Sequence, residues 1–188
     1  MKKIVIIFLF YSGLSFSQPL VDGFNKGKGN LDLVTSFTVD NFNNYYAGDK
    51  SIKLGRFTNV ISAFSAIGIT NKWTLQSSVP FILTEKEKGL QDVNFVSKVN
   101  FYTHKLNKGS LSFLMSNGIS APISKYETET LFALGQRATA LDNRLIAQYF
   151  SHNGFFVMLQ SGYTYKFDPV PSTIPVAFKV GLAKSKHY

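Results

Sequence analysis

The chain has 188 residues, a formal net charge of +9 and no cysteine. This length suits one domain with a sizeable core, and the lack of cysteine excludes a disulfide framework and a cysteine metal site. The lysines and arginines are scattered or lie in predicted loops, so no nucleic-acid partner is expected. The basic charge favours an anionic membrane surface or anionic solutes as partners.

The first 17 residues have the pattern of a secretory signal peptide. Two lysines precede an apolar run at residues 4–11, and Ser15 and Ser17 are the small residues before a cleavage site at Gln18. The run is shorter than the ~20 residues of a spanning helix, although a short membrane anchor or a buried first strand is the alternative. Cleavage would leave residues 18–188 as one exported domain and, by removing the two lysines, lower the formal charge from +9 to +7.

After the leader, eight segments, most of them about 9–13 residues long, have the pattern of strands. Apolar and polar residues alternate in seven of them, whereas both faces of residues 59–69 are apolar or small, so that strand cannot be oriented. The segments are residues 31–40, 59–69, 73–81, 92–103, 111–119, 144–150, 155–165 and 176–183. The usual globular strand has ~5–6 residues, whereas a tilted strand needs about 9–11 to cross a bilayer. No other stretch is long and apolar enough for a spanning helix. The sequence therefore predicts an all-β fold, an antiparallel transmembrane β-barrel with about eight strands.

The segment at residues 92–103 shows how such a strand would be oriented. Its apolar row is Val93, Phe95, Val99 and Phe101, and its polar row is Asp92, Asn94, Lys98 and Asn100. With the apolar row facing lipid, a one-residue slip would place Lys98 in lipid at a cost of ~2–4 kcal/mol near the midplane. Asp92 and Lys98 lie ~20 Å apart along the strand, so each needs a partner from a neighbouring strand. Asp32 and Asp40 are the candidate partners of Lys98.

Polar positions of several strands are expected to line one hydrated interior. The candidate lumen-lining residues are Gln76, Asp92, Asn94, Lys98, Asn100, Gln148, Gln160 and Lys179. The alternative is a lipocalin-like soluble barrel, in which the apolar rows point inward. Aromatic residues near the strand ends favour the membrane, because girdles of such residues mark both interfaces of membrane barrels. They are Trp73, Phe81, Tyr102, Tyr163 and Tyr165.

The predicted links alternate between longer and shorter. The longer links are residues 41–58, 84–90, 121–143 and 168–173, and the shorter ones are 71–72, 104–108 and 151–154. Outer-membrane barrels have long loops outside the cell and short turns in the periplasm, so the amino terminus is expected in the periplasm. A candidate helix at residues 128–140 lies inside one long link.

Four motifs resemble those of one known family. GLQD at residues 89–92, followed by Lys98, resembles the Gly-x-Gly-Asp…Lys strand of the outer-membrane transporter family named for the phenol-degradation meta pathway. LQSSVPF at residues 75–81, GISAPIS at 118–124 and GYTY at 162–165 resemble further strand motifs of that family. The chain departs from the pattern at Gln91, which replaces a glycine, and at Phe81, which replaces a tyrosine. The resemblance implies an outer-membrane barrel that passes small hydrophobic or aromatic molecules.

The sequence predicts no enzyme, and it indicates no cofactor and no metal. His104 and His152 fall in predicted periplasmic links, and catalysis needs a base, a nucleophile and an orienting acid close together. Ser151 adjoins His152, but neighbouring residues of a strand point to opposite faces and no acid is near in sequence. The sequence also contains no phosphate-binding glycine loop and no nucleophile elbow.

The carboxyl terminus is atypical of a last barrel strand, because Lys184 and Lys186 share the row of the terminal Tyr188. The chain is therefore either a compact eight-strand barrel or, as we expect, truncated before its last strands. Open edges would be intolerable in lipid.

These observations together predict a passive channel or transporter in the outer membrane of a Gram-negative cell. Its solute would be a small molecule, gated or recognised by the links at residues 41–58 and 121–143. Its other partners would be outer-membrane lipids, periplasmic chaperones and the barrel-assembly machinery. Two alternatives remain open at this point. One is a structural or adhesion barrel whose interior is filled by side chains, as eight strands predict, and the other is a soluble periplasmic lipid-binding barrel.

Overall fold

The computed structural model describes residues 21–47, 50–126, 128, 135, 137–167 and 170–183. They contain nine strands: β1 (Leu31–Ala47), β2 (Lys50–Gly68), β3 (Trp73–Thr84), β4 (Lys88–Leu90), β5 (Asp92–Leu106), β6 (Gly109–Pro122), β7 (Ala140–Ser151), β8 (Phe155–Lys166) and β9 (Val176–Leu182). Within these residues, no helix is long and apolar enough to cross a membrane. The predicted leader and the terminal lysines lie outside the described residues.

The strands form one antiparallel sheet in which chain neighbours pair. The order is β1-β2-β3-β5-β6-β7-β8-β9, and the short β4 pairs with β3. The sheet curls into part of a barrel. Strictly alternating strand direction is expected here, because short links join only antiparallel neighbours. The predicted all-β, antiparallel barrel-type fold is confirmed, with one strand more than the eight expected.

The long first loop predicted at residues 41–58 is wrong. β1 and β2 continue through it as a ladder that pairs Asp40 with Thr58 and, at its far end, Ala47 with Lys50. The ladder contains one bulge, between Phe42 and Asn44. The composition of this stretch, rich in Asn, Lys and Gly, is typical of a loop. Ladder hydrogen bonds come from the backbone, however, so polar residues extend a strand once its neighbour is in place.

Apart from the connection between β1 and β2, which the long ladder shortens to two residues, the links separate into two groups at opposite ends of the sheet. One end, the long-link end, carries residues 85–91, 123–139 and 167–175, and the other, the short-turn end, carries residues 69–72, 107–108 and 152–154. Of the candidate helix, residues 128, 135 and 137–139 are described and are not helical, and Ala140 begins β7. The other residues of that candidate helix lie outside the described part of the chain.

The pairing register assigns side chains to two faces. Residues directly opposite on neighbouring strands project to the same side. One such row runs across the sheet through Thr74, Lys98, Ser116 and Arg144. We call the side that carries this row the inner face, and the opposite side the outer face.

The outer face carries many large, exposed apolar side chains, whereas the inner face buries both polar and apolar side chains. Phe95 is 54% exposed and Phe178 is 64% exposed, while Lys98 is 0% exposed. Other outer-face residues with exposed side chains are Phe37, Ile61, Met115, Ile119, Leu141, Leu145 and Leu159. A protein folded in water rarely leaves so many large apolar side chains exposed on one face.

Candidate functional site

A segment at residues 21–30 crosses the inner face, and we call it the strap. At its far end, Gly29 N donates to Gly68 O over 2.8 Å and Gly68 N donates to Asn30 O over 3.0 Å. A Cβ atom on Gly68 would lie 1.7 Å from Gly27 O, so only glycine allows this approach. In the middle, Lys26 N donates to Thr74 Oγ1 over 3.2 Å. The strap is therefore bound to several strands.

Lys98 holds the strap at its centre. Its Nζ donates to Asp22 Oδ1 over 2.7 Å, to Asp22 O over 2.8 Å and to Phe24 O over 2.7 Å. These three acceptors match the three donors of an ammonium group, which makes a fully buried charge tolerable. The pairing with Asp32 or Asp40 considered from the sequence is wrong. The partner comes from the strap, a segment without strand periodicity, and Asp32 instead accepts from Lys26.

Two apolar contacts flank Asp22. On one side, Val21 belongs to a buried cluster that also contains Leu114, Ile146 and Met158. On the other side, the ring of Phe24 packs edge-on against two aromatic rings of β7 and β8, those of Phe150 and Phe156, at centroid distances of 5.8 and 5.2 Å. The strap thus presents one carboxylate between two apolar groups.

Several buried polar atoms of the inner face have no hydrogen-bond partner among the described residues. They are both amide atoms of Gln160, Oε1 of Gln148 and Oγ of Ser116. These side chains are between 1% and 5% exposed. An unpartnered buried polar group costs about 1–3 kcal/mol, so these positions favour water or a polar group of a solute.

A cavity of about 280 Å³ lies beside the strap, with Val21 in its wall. Its polar lining includes Gln76, Asn94 and an ion pair in which Arg144 Nε donates to Asp142 Oδ2 over 2.7 Å. Apolar groups, among them those of Phe64 and Val96, complete the wall. Such a mixture of apolar surface and few polar groups is typical of small-molecule sites.

The long-link end of the inner face is covered by Tyr126. The ring packs with Ile82, and the hydroxyl donates to Asp92 Oδ1 and accepts from Arg137 N over 2.9 Å. Burial of the ring, reinforced by the hydrogen bond to Asp92, raises the pKa of Tyr126 above its ordinary value. The hydroxyl therefore stays protonated as a donor. These hydrogen bonds join Tyr126 and Arg137 to Asp92 at the start of β5.

All eight sequence-predicted lumen residues lie on the inner face, but in different surroundings. Gln76 and Asn94 meet at the cavity, Gln148 and Gln160 are buried, and Lys98 holds the strap. Asp92 holds Tyr126, Asn100 Nδ2 donates to Thr103 Oγ1 over 3.0 Å, and Lys179 Nζ lies 5.8 Å from the ring centroid of Phe156. The structure therefore brings together only some of the eight.

Sequence reasoning missed four residues of this site: Asp22, Tyr126, Asp142 and Arg144. Alternation places Arg144 and Asp142 in the polar row of β7, so that signal was available. Asp22 and Tyr126 lie in segments without periodicity, and no local pattern could place them.

The turn between β7 and β8 holds the serine and histidine considered for catalysis. Ser151 Oγ donates to Phe155 O over 3.0 Å, and His152 N donates to Lys108 O over 3.1 Å. The described residues contain no group of three His, Cys, Asp or Glu side chains that could hold a metal ion. The hydrogen bonds of Ser151 and His152 stabilise the turn between β7 and β8.

Comparison of the chain with protein-family models, with curated proteins and with solved structures gave no match.

Proposed function

We propose that the chain forms the wall of an outer-membrane β-barrel that passes small molecules through its interior. The observation that carries this proposal is the inversion of the two faces: Phe95 and Phe178 are exposed, while Lys98 is fully buried. In water, each large apolar side chain left exposed forgoes about 1.5–3 kcal/mol of burial free energy. Acyl chains in contact with the outer face remove that cost.

Aromatic residues at both ends of the outer face support a membrane. Trp73 and Tyr102 lie towards the short-turn end, and Tyr163 and Tyr165 towards the long-link end, all with exposed side chains. Along β3, the distance from Trp73 to Phe81 is roughly 26 Å at about 3.3 Å per residue. A tilted strand of that length matches an apolar band ~25 Å tall with aromatic girdles.

The proposal requires the edges of the sheet to be paired. Among the described residues, β1 pairs only with β2, and β9 pairs only with β8. Thr173, in the link before β9, also forms a bridge with Thr164 of β8. Unpaired edge groups are not tolerated in lipid, so β1 and β9 must meet each other, further strands or a second copy.

In this proposal the described conformation is the closed one. The strap lies across the lumen, and the cavity beside it is the start of the route. The same strap supports a second candidate function, a structural barrel with a filled interior, because a plug bound by a buried ion pair can be permanent. A strap that moves aside would favour the channel, and a strap that stays bound would favour the structural barrel.

Two measurements test the proposal. First, the mature chain should co-sediment with outer membranes and should need detergent or lipid to remain monodisperse; a monodisperse protein in plain buffer would overturn membrane insertion and favour the soluble lipid-binding barrel. Second, liposomes that contain the purified chain should swell in small solutes faster than empty liposomes. Insertion without swelling would favour the structural barrel.

A further inference from the structure

We infer that Lys98 is a carboxylate-binding site, which Asp22 of the strap occupies in the closed state and for which small amphipathic carboxylic acids compete. This inference deepens the proposed function and rests on it for the direction of transport, but the site itself is a property of the folded chain. The strap would then act as an internal mimic of the solute.

The geometry at Lys98 is that of an anion receptor. Its ammonium group is fully buried, and one carboxylate oxygen and two carbonyl oxygens of the strap surround it. The side chain of Asp22 is 41% exposed although that of Lys98 is 0% exposed. A competing carboxylate can therefore approach from the side of Asp22 without first opening the sheet.

The hydroxyl of Ser116 is a second hydrogen-bond donor on the same face of the sheet as Lys98. Ser116 is paired directly with Lys98 across β5 and β6, and its buried hydroxyl has no hydrogen-bond partner among the described residues. Directly opposite residues project to the same side of the sheet, so the Ser116 hydroxyl lies on the inner face beside the stem of the Lys98 side chain. Asp22 uses only one oxygen on Lys98, so a free carboxylate could satisfy both donors.

The groups beside Asp22 indicate the remainder of the ligand. Val21 fills a pocket formed by Leu114, Ile146 and Met158, and Phe24 fills the angle between two aromatic rings. A solute that displaces the strap would place an aliphatic or aromatic body in one of these apolar positions. The amide of Gln160 is buried on the same face and lacks a partner within the described chain, which allows a further polar group or water.

The charge of the inner face agrees with an anionic ligand. With the strap displaced, Lys98 and Lys179 face the interior, Asp32 on β1 loses its partner Lys26, and Arg144 and Asp142 neutralise each other as an ion pair. Asp32 lies on the far side of β2 and β3 from Lys98, and Asp92, at the start of β5, has its carboxylate bonded to Tyr126. The part of the inner face near Lys98 is therefore positive.

A strap-displacement assay tests this site without requiring a pore. A Cβ atom on Gly23 would lie 3.2 Å from that of Gln148, close to the separation that a disulfide spans, and the chain has no other cysteine. The full mature chain carrying Gly23→Cys and Gln148→Cys, in detergent micelles, would be oxidised with and without millimolar phenylacetate. Phenylacetate should slow disulfide formation about tenfold, as expected for loss of one charge-assisted contact to the strap. The neutral 2-phenylethanol should leave the rate unchanged.

Variants of the lysine connect the effect to the site. In the cysteine pair background, Lys98→Met should abolish the difference between acid and alcohol, and Lys98→Arg should retain it. Ser116→Ala should weaken the effect of phenylacetate relative to the effect in the unsubstituted cysteine pair. Trp73 fluorescence verifies that each variant is folded. If Lys98→Met is misfolded, Lys98→Arg and Ser116→Ala test the site instead.

The outcomes separate this inference from the proposed function. Equal effects of acid and alcohol, or discrimination that survives Lys98→Met in a folded protein, overturn the carboxylate site. Competition by phenylacetate without any solute uptake by liposomes keeps the site and overturns the transporter. Solute uptake without competition by phenylacetate keeps the transporter and overturns the carboxylate site.

Discussion

Lys98 and Asp22 lie 76 residues apart in the chain, and they form an ion pair 2.7 Å long on the inner face of the sheet. The pair joins the middle of β5 to the strap. Because the lysine is fully buried, its charge depends on this single carboxylate and on two strap carbonyls. The strap and the sheet are therefore coupled through the side chain of Lys98.

Replacement of Lys98 by methionine should release the strap. The variant removes the three hydrogen bonds from the ammonium to the strap and leaves Asp22 without its partner. Because Asp22 is 41% exposed, the cost is below the ~3–5 kcal/mol of a fully buried pair. We expect protease cleavage within residues 21–30 of the folded protein to become faster, and solute uptake by liposomes to rise.

The matched control is Lys26→Met, which removes the partly exposed pair with Asp32. Ion pairs in contact with water contribute about 0–1 kcal/mol, so cleavage of the strap should change much less than in Lys98→Met. Equal cleavage of the two variants and the wild type would show that the buried pair does not hold the strap.

A disulfide between the strap and β7 should close the lumen. With Gly23→Cys and Gln148→Cys oxidised, the strap cannot leave the inner face, so liposomes should lose the solute uptake that the reduced form shows. Addition of a reductant to the same sample should restore uptake. Gln148→Cys alone serves as the control, and it should respond to neither reagent; a Cβ atom added at Gly23 beside an intact Gln148 would lie 1.9 Å from its Oε1. Undiminished uptake through the oxidised pair would mean that solutes do not pass beneath the strap.

A charge on the outer face should destabilise the protein in lipid, whereas the same charge on the inner face should not. Phe95→Arg places a guanidinium among acyl chains at a cost of about 2–4 kcal/mol near the midplane. Asn94→Arg, the neighbouring position, points to the cavity. Urea unfolding in phospholipid vesicles measures both variants, and a larger loss of unfolding free energy in Asn94→Arg would reverse our assignment of the two faces.

Loss of the Tyr126 hydroxyl should loosen the connection at residues 123–139. Tyr126→Phe removes the hydrogen bond to Asp92 and the one accepted from Arg137 N, worth about 1–3 kcal/mol together. We expect faster protease cleavage in this connection with little change in cleavage of the strap. Lys105→Met, on an exposed part of β5, should leave both rates unchanged.

The same hydroxyl predicts a dependence of stability on pH. The folded protein raises the pKa of Tyr126, so above its ordinary pKa of about 10 the unfolded chain loses this proton while the folded chain keeps it. The contribution of Tyr126 is thus complete below pH ~10 and is lost as the pH rises further. Wild type should lose more unfolding free energy than Tyr126→Phe between pH 8 and 11. An equal loss in both proteins would remove Tyr126 as the cause.

The strand positions were predictable because each strand carries its own signal. In β5, apolar and polar residues alternate from Asp92 to Asn100, and the register between neighbours follows from keeping the apolar rows together. The alternation failed at two places. A bulge after Asn100 shifts Tyr102 to the outer face, and the polar ladder beyond Asp40 was interpreted as a loop.

By itself, the sequence determined that the chain forms long antiparallel strands with one apolar and one polar face, because side chains alternate across a strand whatever its neighbours are. Only the tertiary structure decided what fills the inner face. The strap and Tyr126 lie in segments without periodicity, and their positions follow from contacts between residues far apart in the chain, such as Asp22 with Lys98 and Tyr126 with Asp92. A buried charge must find a partner, but the local sequence does not say which one, since many carboxylates could meet that need and only the folded sheet brings one of them within reach.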